Sequence, residues 1–268
     1  MEKTLPASTA QALTALLRPI ESTFENLFRT SGGVLLLIVQ SLLAVRLRGT
    51  DLARLLRQCF VIGVQSLPLA ALIGLFTGMI IALNIGLPLA DFGQEARLGG
   101  FLGLGMVREF APVFTAFIVA ARVGAAMTAE LGTMAVGDEV NALRSLGISP
   151  VRFLAAPRIV ATILMNPMLT MFALTKGIFG GLVIAETVLG VPASLYWRRV
   201  FDFLDFQEAW IGLLKTLIFG AIISGVCVYK GLTTTGGAEG VGTSTTRGVV
   251  ISLTMILVAD FIVFRALA

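Results

Sequence analysis

One uncharged stretch decides the fold: residues 58–90 read QCFVIGVQSLPLAALIGLFTGMIIALNIGLPLA and contain no Asp, Glu, Lys or Arg. About 20 predominantly apolar residues are enough for a helix to cross the hydrocarbon core of a bilayer. The whole chain of 268 residues is 56% hydrophobic and only 13% charged, whereas soluble domains carry about 25% charged residues. The sequence therefore predicts an integral membrane protein.

Four more apolar stretches follow, and each is long enough to cross a membrane. They are residues 101–121, 159–185, 209–229 and 248–268. Helices are the expected spanning elements here, because a helix satisfies its own backbone hydrogen bonds in lipid. We predict an all-α integral membrane fold, a single domain over residues 1–268 with a five-span core at 58–268 and an interfacial N-terminal element at 1–57.

The N-terminal element combines an amphipathic pattern with a short apolar stretch. Its apolar positions are Leu13, Leu17, Ile20, Phe24 and Leu27. This helical spacing, with polar residues between, predicts an amphipathic helix that lies at the membrane interface. Residues 33–45 are strongly apolar but short for a span, which favours a re-entrant or interfacial segment.

Basic residues set the predicted orientation. With the N-terminus inside, the cytoplasmic segments 1–60, 122–158 and 230–247 carry 13 Lys or Arg, and the opposite loops and ends carry 5. The positive-inside rule therefore favours a cytoplasmic N-terminus and a periplasmic C-terminus. The N-terminus shows no signal-peptide pattern, so we expect a bacterial inner membrane, with the first span as the targeting signal.

Several function classes are disfavoured by residue types. The chain has no histidine, the commonest general base and metal ligand. Cys59 and Cys227 lie far apart and lack a CxxC spacing, so neither a disulfide nor a metal pair is expected. No run of like charges indicates nucleic-acid binding. We assign no catalytic residue and no metal site, and an enzyme acting on lipids within the membrane is disfavoured.

Charged residues inside the apolar stretches are the first candidate site. They are Arg108, Glu109, Lys176, Glu186, Lys215 and Asp260. A charge at the bilayer centre costs at least ~2.5–3.5 kcal/mol, so such residues normally face a partner or a wet cavity. The predicted topology brings Arg108, Glu109, Lys215 and Asp260 to one level in the outer half of the membrane. We predict one polar cluster there; pairing that fixes helix register and a role in a cavity are both open.

The connection after the second span, GDEVNALRSLGISPVRF, is the second candidate site. Asp138 and Glu139 stand where acidic side chains favour a helix N-terminus. Leu143 and Leu146 share one face, and Gly147 is expected to end the helix at a positive φ. Two interpretations are open: a well-capped loop helix, or a coupling helix that docks into a groove on a cytoplasmic ATPase.

Glycine spacing predicts close helix contacts. Pairs separated by four residues occur at Gly74 and Gly78, Gly99 and Gly103, and Gly177 and Gly181. This spacing lets helices approach closely; packing within the chain is favoured, and a dimer contact is the alternative. The Gly- and Thr-rich segment 230–247 follows a span rather than a strand, so a tight turn is expected there and not a phosphate-binding loop.

Three separated motifs carry a resemblance to a known family. The order Glu139, Ala142-Leu143, Gly147 and Pro157 resembles the EAA-type coupling loop of bacterial ABC permeases. The stretches REFAPV at 108–113, ARVGAA at 121–126, AELGTM at 129–134 and GAEGVG at 237–242, followed by TTR at 245–247, resemble the MlaE/YrbE permease family. The resemblance covers nearly everything beyond about residue 30.

The resemblance implies a transport complex. Such permeases form a pair of membrane subunits around a central lipid cavity, bind two copies of a cytoplasmic ABC ATPase, and carry a ring of MCE-domain subunits on the outer side. They move phospholipids or other lipids between the inner membrane and the outer envelope. The coupling role would fall on Asp138, Glu139, Leu143, Leu146 and Gly147, and the polar cluster would face the cavity.

This chain has no GxxxxGK[ST] phosphate-binding loop. It is therefore expected to be a transport subunit without a cofactor of its own, with ATP and Mg bound by the partner ATPase. The main alternative is an ion- or proton-coupled secondary carrier of a hydrophobic substrate, which would use the buried charges. An intramembrane lipid enzyme and a purely structural anchor are further alternatives.

Overall fold

The computed structural model describes residues 32–44 and 50–267, and within them no β-strand occurs. Five helices in this part of the chain are long and apolar enough to cross a membrane. They are Asp51–Asp91, Glu95–Val136, Val151–Thr187, Phe206–Leu232 and Gly237–Ala266, the first to fifth spans. The predicted all-α membrane fold is confirmed. The amphipathic helix predicted around residues 13–27 lies outside the described residues.

Several spans are built from more than one helical segment. The first span contains helices Thr50–Ile62 and Leu67–Asp91, joined by the 3₁₀ turn Val64–Ser66. The second begins with the 3₁₀ turn Glu95–Arg97 and contains helices Leu98–Gly105, Ala111–Val119 and Ala125–Val136, which are separated by the π-helical turns Met106–Phe110 and Ala120–Gly124. The third contains the π-helical turn Val151–Ala155 and helix Ala156–Thr187, the fourth is helix Phe206–Leu232, and the fifth is helix Gly237–Leu267. The part of the chain that the structure describes also contains three shorter helices, Gly32–Ala44, Glu139–Ser145 and Ala193–Phe203.

We call the end of the bundle that carries residues 137–150 the inner end and the opposite end the outer end, following the predicted orientation. Glu139–Ser145 joins the second and third spans at the inner end, and Ala193–Phe203 joins the third and fourth at the outer end. The predicted division between residues 57 and 58 stays a prediction, and helix Thr50–Ile62 runs across that position.

The spans are longer than the apolar stretches that predicted them. The second was expected to end at residue 121 but continues as a helix to Val136. Hydropathy ends where lipid ends, whereas a helix continues as long as its backbone bonds are made and its side chains tolerate it. The buried Arg158 lies inside the third span and pairs with Glu130 of the second at 2.7 Å.

The Gly- and Thr-rich segment after the fourth span contains a tight turn, as expected, but most of its residues are helical. Only residues 233–236 lie outside helices, and the fifth span begins at Gly237. Gly236 and Gly237 have φ values of 90° and 67°, a region that glycine reaches without steric cost. These two residues reverse the chain, and the segment that follows adds about three turns to the last helix.

Close backbone contact joins the first and third spans. A Cβ added at Gly74 would overlap the Ala173 carbonyl oxygen, and one added at Gly78 would overlap that of Gly177. Gly180 in turn lies against the backbone of Leu75. Among the described residues, these predicted glycine pairs serve packing within the chain, which favours that interpretation over a dimer contact.

Two of the short helices pack against spans. In helix Gly32–Ala44, Gly33 lies against the Tyr229 ring of the fourth span. In helix Ala193–Phe203, Tyr196 is 0% exposed. Its hydroxyl donates to the Ile178 carbonyl at 2.8 Å, and burial raises the pKa of the phenol. Tyr196 therefore anchors the outer helix to the third span.

Candidate functional site

A buried lysine lies at the centre of the charged residues in the outer half of the bundle. Lys215 of the fourth span is 1% exposed. Its Nζ lies 2.7 Å from Glu109 Oε1 of the second span and 2.9 Å from Asp260 Oδ1 of the fifth, and it donates to the Arg108 carbonyl at 3.1 Å. We call Glu109, Lys215 and Asp260 the Lys215 cluster. It joins three spans through one ammonium group.

The Arg108 side chain points away from this cluster. Its Nε and Nη2 both donate to the carboxylate of Glu208, at the start of the fourth span. The predicted cluster grouped Arg108 with Glu109, Lys215 and Asp260 and did not include Glu208. A signal was present, because Glu208 precedes Lys215 by seven residues, about two turns along the same helix face.

A π-helical turn explains how two neighbouring residues reach two different partners. Arg108 and Glu109 lie in the π-helical turn Met106–Phe110. In an α-helix, adjacent side chains point about 100° apart, and an inserted π turn shifts this register locally. Here both side chains reach the fourth span, Arg108 near its start and Glu109 at Lys215.

The Lys215 cluster is open on one side. The side chains of Glu109 and Asp260 keep 32% and 19% of their exposure. The Phe264 ring lies 5.6 Å from Lys215 Nζ and is 47% exposed. With Arg108 and Glu208 paired, the remaining three residues hold two carboxylates and one ammonium. The site is thus a polar patch with one carboxylate in excess, set in an apolar surface.

A small apolar cavity lies beside this site. It measures about 60 Å³ and is bounded by the second, third and fourth spans, with Val107, Leu174 and Gly212 among its lining residues. A cavity of this size and lining has room for a few methylene groups of an acyl chain. The larger cavity expected between two subunits would need a second chain.

The remaining intramembrane charges do not join the site. Lys176 is exposed, and its ammonium lies 5.6 Å from the centroid of the Phe172 ring. Glu186 is exposed near the outer end of the third span. Within the described residues, no group of three or more His, Cys, Asp or Glu side chains is arranged to hold a metal ion.

The second candidate site is the helix at the inner end, Glu139–Ser145. Asp138 precedes it at φ 57°, and Gly147 follows it at φ 73°, so left-handed residues bound it on both sides. Asn141 donates from Nδ2 to Asp138 Oδ1 at 2.9 Å. The positive φ was expected at Gly147 but not at Asp138, where a short polar side chain makes this conformation accessible.

This helix is attached to the bundle by one face only. Val140 is buried, Leu143 is half-buried, and Glu139 is exposed. Leu146 was expected on the apolar face, yet its side chain is 74% exposed. The helix thus presents the charged Glu139 and the apolar Leu146 at the inner end of the bundle.

Comparison with known proteins places this architecture in a family. The family described as "Permease MlaE" matches residues 55–266. A probable ABC transporter permease protein of Synechocystis is 39% identical over 206 residues, which cover 77% of this chain and 78% of that one. A probable ABC transporter permease protein of Rickettsia typhi is 34% identical over 81% of this chain and 83% of its own. The Arabidopsis thaliana chloroplast protein named TRIGALACTOSYLDIACYLGLYCEROL 1 is 38% identical over 75% of this chain and 57% of its own.

Proposed function

The chain belongs to the MlaE family of ABC transporter permeases, and from this we propose that it is the membrane subunit of an ATP-driven transporter that moves lipids, in particular phospholipids, between the inner membrane and the outer envelope. The observation that carries the proposal is the exposed helix Glu139–Ser145 at the inner end of a chain with this family match. ATP and Mg bind to a separate ATPase in this proposal.

Helix Glu139–Ser145 fits the role of a coupling helix. It is short, bounded by Asp138 and Gly147 in left-handed conformations, and held to the bundle through the buried Val140. Its exposed face offers Glu139 for a charged contact and Leu146 for an apolar contact. A rigid, protruding helix of this kind transmits displacement of a bound partner to the spans on either side of it.

The lipid substrate is supported by the Lys215 cluster. A lipid has a polar headgroup and apolar chains. The partly exposed carboxylates of the cluster suit the cationic or hydroxyl groups of a headgroup rather than its phosphate, and Phe264 and the apolar cavity flank them. An acyl chain loses little when it leaves the bilayer for an apolar cavity, because both environments exclude water. A relative named for a galactolipid adds support for a lipid cargo.

The proposed assembly contains two copies of this permease, two copies of a cytoplasmic ABC ATPase and an MCE-domain ring on the outer side. The fifth span offers a surface for a contact beyond this chain, because its apolar side chains at Val258, Phe261 and Ile262 are exposed. In the proposed orientation the N-terminus is cytoplasmic, the C-terminus is periplasmic, and the Lys215 cluster lies on the side opposite the ATPase.

The experiment is purification of the complex from its native membrane, followed by protein identification, mass spectrometry of bound lipid, and reconstitution into vesicles. We expect an ABC ATPase to co-purify and labelled phospholipid to transfer to acceptor vesicles only with hydrolysable ATP. Glu139→Lys in the coupling helix serves as the matched variant, with transfer lost while the chain still inserts. Transfer at the wild-type rate without any ATPase would contradict the proposal.

The charge count of the Lys215 cluster favours a second candidate, a proton- or ion-coupled carrier of a hydrophobic substrate. Two carboxylates share one ammonium, so a proton or a cation bound there would neutralise the excess charge. Uptake driven by a pH or sodium gradient in vesicles that contain only this chain would establish it. We favour the ATP-driven transporter because the chain belongs to a family of ABC transporter permeases.

A further inference from the structure

Irregularities in three neighbouring spans lie at one depth. In the first span the helix is interrupted at Val64–Ser66, in the second a π-helical turn occupies Ala120–Gly124, and in the third Pro167 lies inside the helix. Counted from the inner ends of these spans, Ser66, Arg122 and Asn166 lie 15, 14 and 15 residues along the chain. At 1.5 Å per residue, all three lie about 22 Å from the inner end.

Two of these irregularities weaken the backbone. Ser66 N donates to Gly63 O at 2.9 Å in a tightened turn, and Pro68 has no N–H to continue the helical ladder. Pro167 removes one backbone hydrogen bond within the third span. The first span is thereby divided into two helices, whereas helix Ala156–Thr187 of the third span stays continuous through Pro167. We call the parts of these two spans on either side of Ser66 and of Pro167 their inner and outer segments.

Side chains connect the breaks to one another. Arg122 donates from Nη1 to Ser66 Oγ, and Ser66 Oγ donates to Ile62 O at 2.6 Å. Gly63 lies directly against Met165, since a Cβ there would collide with the Met165 sulfur. The interruption in the first span therefore contacts the third span two residues before Pro167, and Arg122 of the second span reaches the same interruption at Ser66.

The inner segments of the first and third spans are joined at their base. Arg152 Nη2 donates to Asp51 Oδ2 at 2.8 Å, and Arg54 also pairs with Asp51 at 3.5 Å. The Arg54 guanidinium lies over the Phe153 ring, 4.1 Å from its centroid. Arg152 follows Gly147 by five residues, so this junction lies directly beyond the helix Glu139–Ser145.

The outer segments form a separate body. Gly74 and Gly78 of the first span touch the backbone of Ala173 and Gly177 of the third, all beyond the breaks. These contacts hold the two outer segments close together, because backbone meets backbone at Gly74 and Gly78.

We propose that the inner segments of the first and third spans act together as a lever that tilts about the layer of Ser66, Arg122 and Pro167 when the coupling helix moves. Asp51 and Arg152 are its positioning residues: they make both inner segments follow the coupling loop. The lever carries a displacement at the inner end to the outer half of the membrane. This inference rests on the proposed function, since an ATPase must move the coupling helix.

The motion is tested with spin labels in the reconstituted complex. One label at Leu56, on the exposed face of the first inner segment, and one at Phe179, on the exposed face of the outer part of the third span, report tilting across the layer. We expect their distance to shift between the nucleotide-free and ATP-trapped states by more than the width of the distance distribution. A label at Ser145 paired with Phe179 serves as the control for movement of the coupling helix.

The positioning role is tested with Arg152→Gln and Arg152→Lys. We expect Arg152→Gln to lower the lipid transferred per ATP hydrolysed by about two- to fivefold, the range for a partly exposed ion pair, while ATPase activity is retained. Arg152→Lys keeps the charge and should restore most of the ratio. Asp202→Asn is the matched control, because its partner Arg199 lies on the same short helix and the pair joins no spans.

Two outcomes overturn the inference alone: a Leu56–Phe179 distance that stays constant while the Ser145–Phe179 distance changes, or a wild-type ratio in Arg152→Gln. Absence of ATP-dependent transfer in the wild-type complex would instead overturn the proposed function, and the lever with it.

Discussion

Replacing Lys215 with methionine removes the one ammonium that joins three spans while nearly preserving side-chain length. Lys215 is 1% exposed, and its Nζ lies 2.7 Å from Glu109 and 2.9 Å from Asp260. Removing one partner of a buried ion pair costs about 3–5 kcal/mol, because the other charge is left buried without compensation. Glu109 keeps 32% of its exposure, so solvent screens part of this loss. We expect the free energy of unfolding to fall by about 3 kcal/mol.

A double-mutant cycle isolates the contact between Lys215 and Glu109. Glu109→Gln alone leaves the ammonium paired with Asp260 and should cost about 1–2 kcal/mol, in the range for a hydrogen bond to a charged group. Combined with Lys215→Met it should cost less than the sum, with a coupling energy of about 1–2 kcal/mol. The assay is reversible unfolding in mixed micelles, monitored by tryptophan fluorescence, with lipid transfer measured on the same variants.

Lys176→Met is the matched control. Lys176 is also a lysine within a span, but it is exposed and its ammonium contacts the Phe172 ring, so we expect a change within about 0.5 kcal/mol. Lys215→Ala and Asp260→Ala should each impair transport more than Lys176→Ala. Additive effects in the cycle, or equal losses from Lys215→Met and Lys176→Met, would refute the reasoning.

Three further predictions concern the packing, the coupling helix and the nucleotide. Gly78→Ala should lower the free energy of unfolding by about 3 kcal/mol or more, because its Cβ would overlap the Gly177 carbonyl oxygen. Gly242 has open space around it, so Gly242→Ala should raise the free energy of unfolding by up to about 1 kcal/mol in the same assay. Equal effects of the two substitutions would contradict the close contact at Gly78. Glu139→Lys and Gly147→Val should both uncouple ATP hydrolysis from lipid transfer in reconstituted vesicles. The first reverses the charge at a helix N-terminus, and the second strains a residue at φ 73° at a cost of about 1–2 kcal/mol. Normal transfer in both variants would mean that the helix is only a loop. The isolated chain should bind no nucleotide in calorimetric titration, and micromolar affinity would exclude the assignment of ATP binding to a partner.

The membrane fold could be predicted from the sequence because the hydropathy of successive residues adds up along a span. Each residue of 58–90 adds a small transfer free energy, and their sum exceeds any local exception such as Pro68 or Pro88. Hydropathy does not mark where a helix ends. The second span continues as a helix from the lipid into the solvent, so the prediction from hydropathy placed the inner end of this span too early.

The depth of the candidate site could be anticipated from the sequence, but the partner of Arg108 could not. Counting residues from the ends of three spans placed Glu109, Lys215 and Asp260 at one level, and the structure brings them within 3 Å of one ammonium. The count assumes regular helices, and the π-helical turn Met106–Phe110 breaks that assumption. Arg108 consequently pairs with Glu208. Glu208 lies between the predicted third and fourth spans and was not among the predicted site residues.

The Lys215 cluster also bears on biosynthesis, because its members leave the ribosome far apart in time. Asp260 belongs to the fifth span, and an isolated aspartate at the bilayer centre costs at least ~2.5–3.5 kcal/mol to insert. The fourth span precedes it in the chain and presents Lys215, so the carboxylate enters beside an ammonium already in place. Membrane insertion thus gains an order: the fifth helix integrates efficiently only after the fourth.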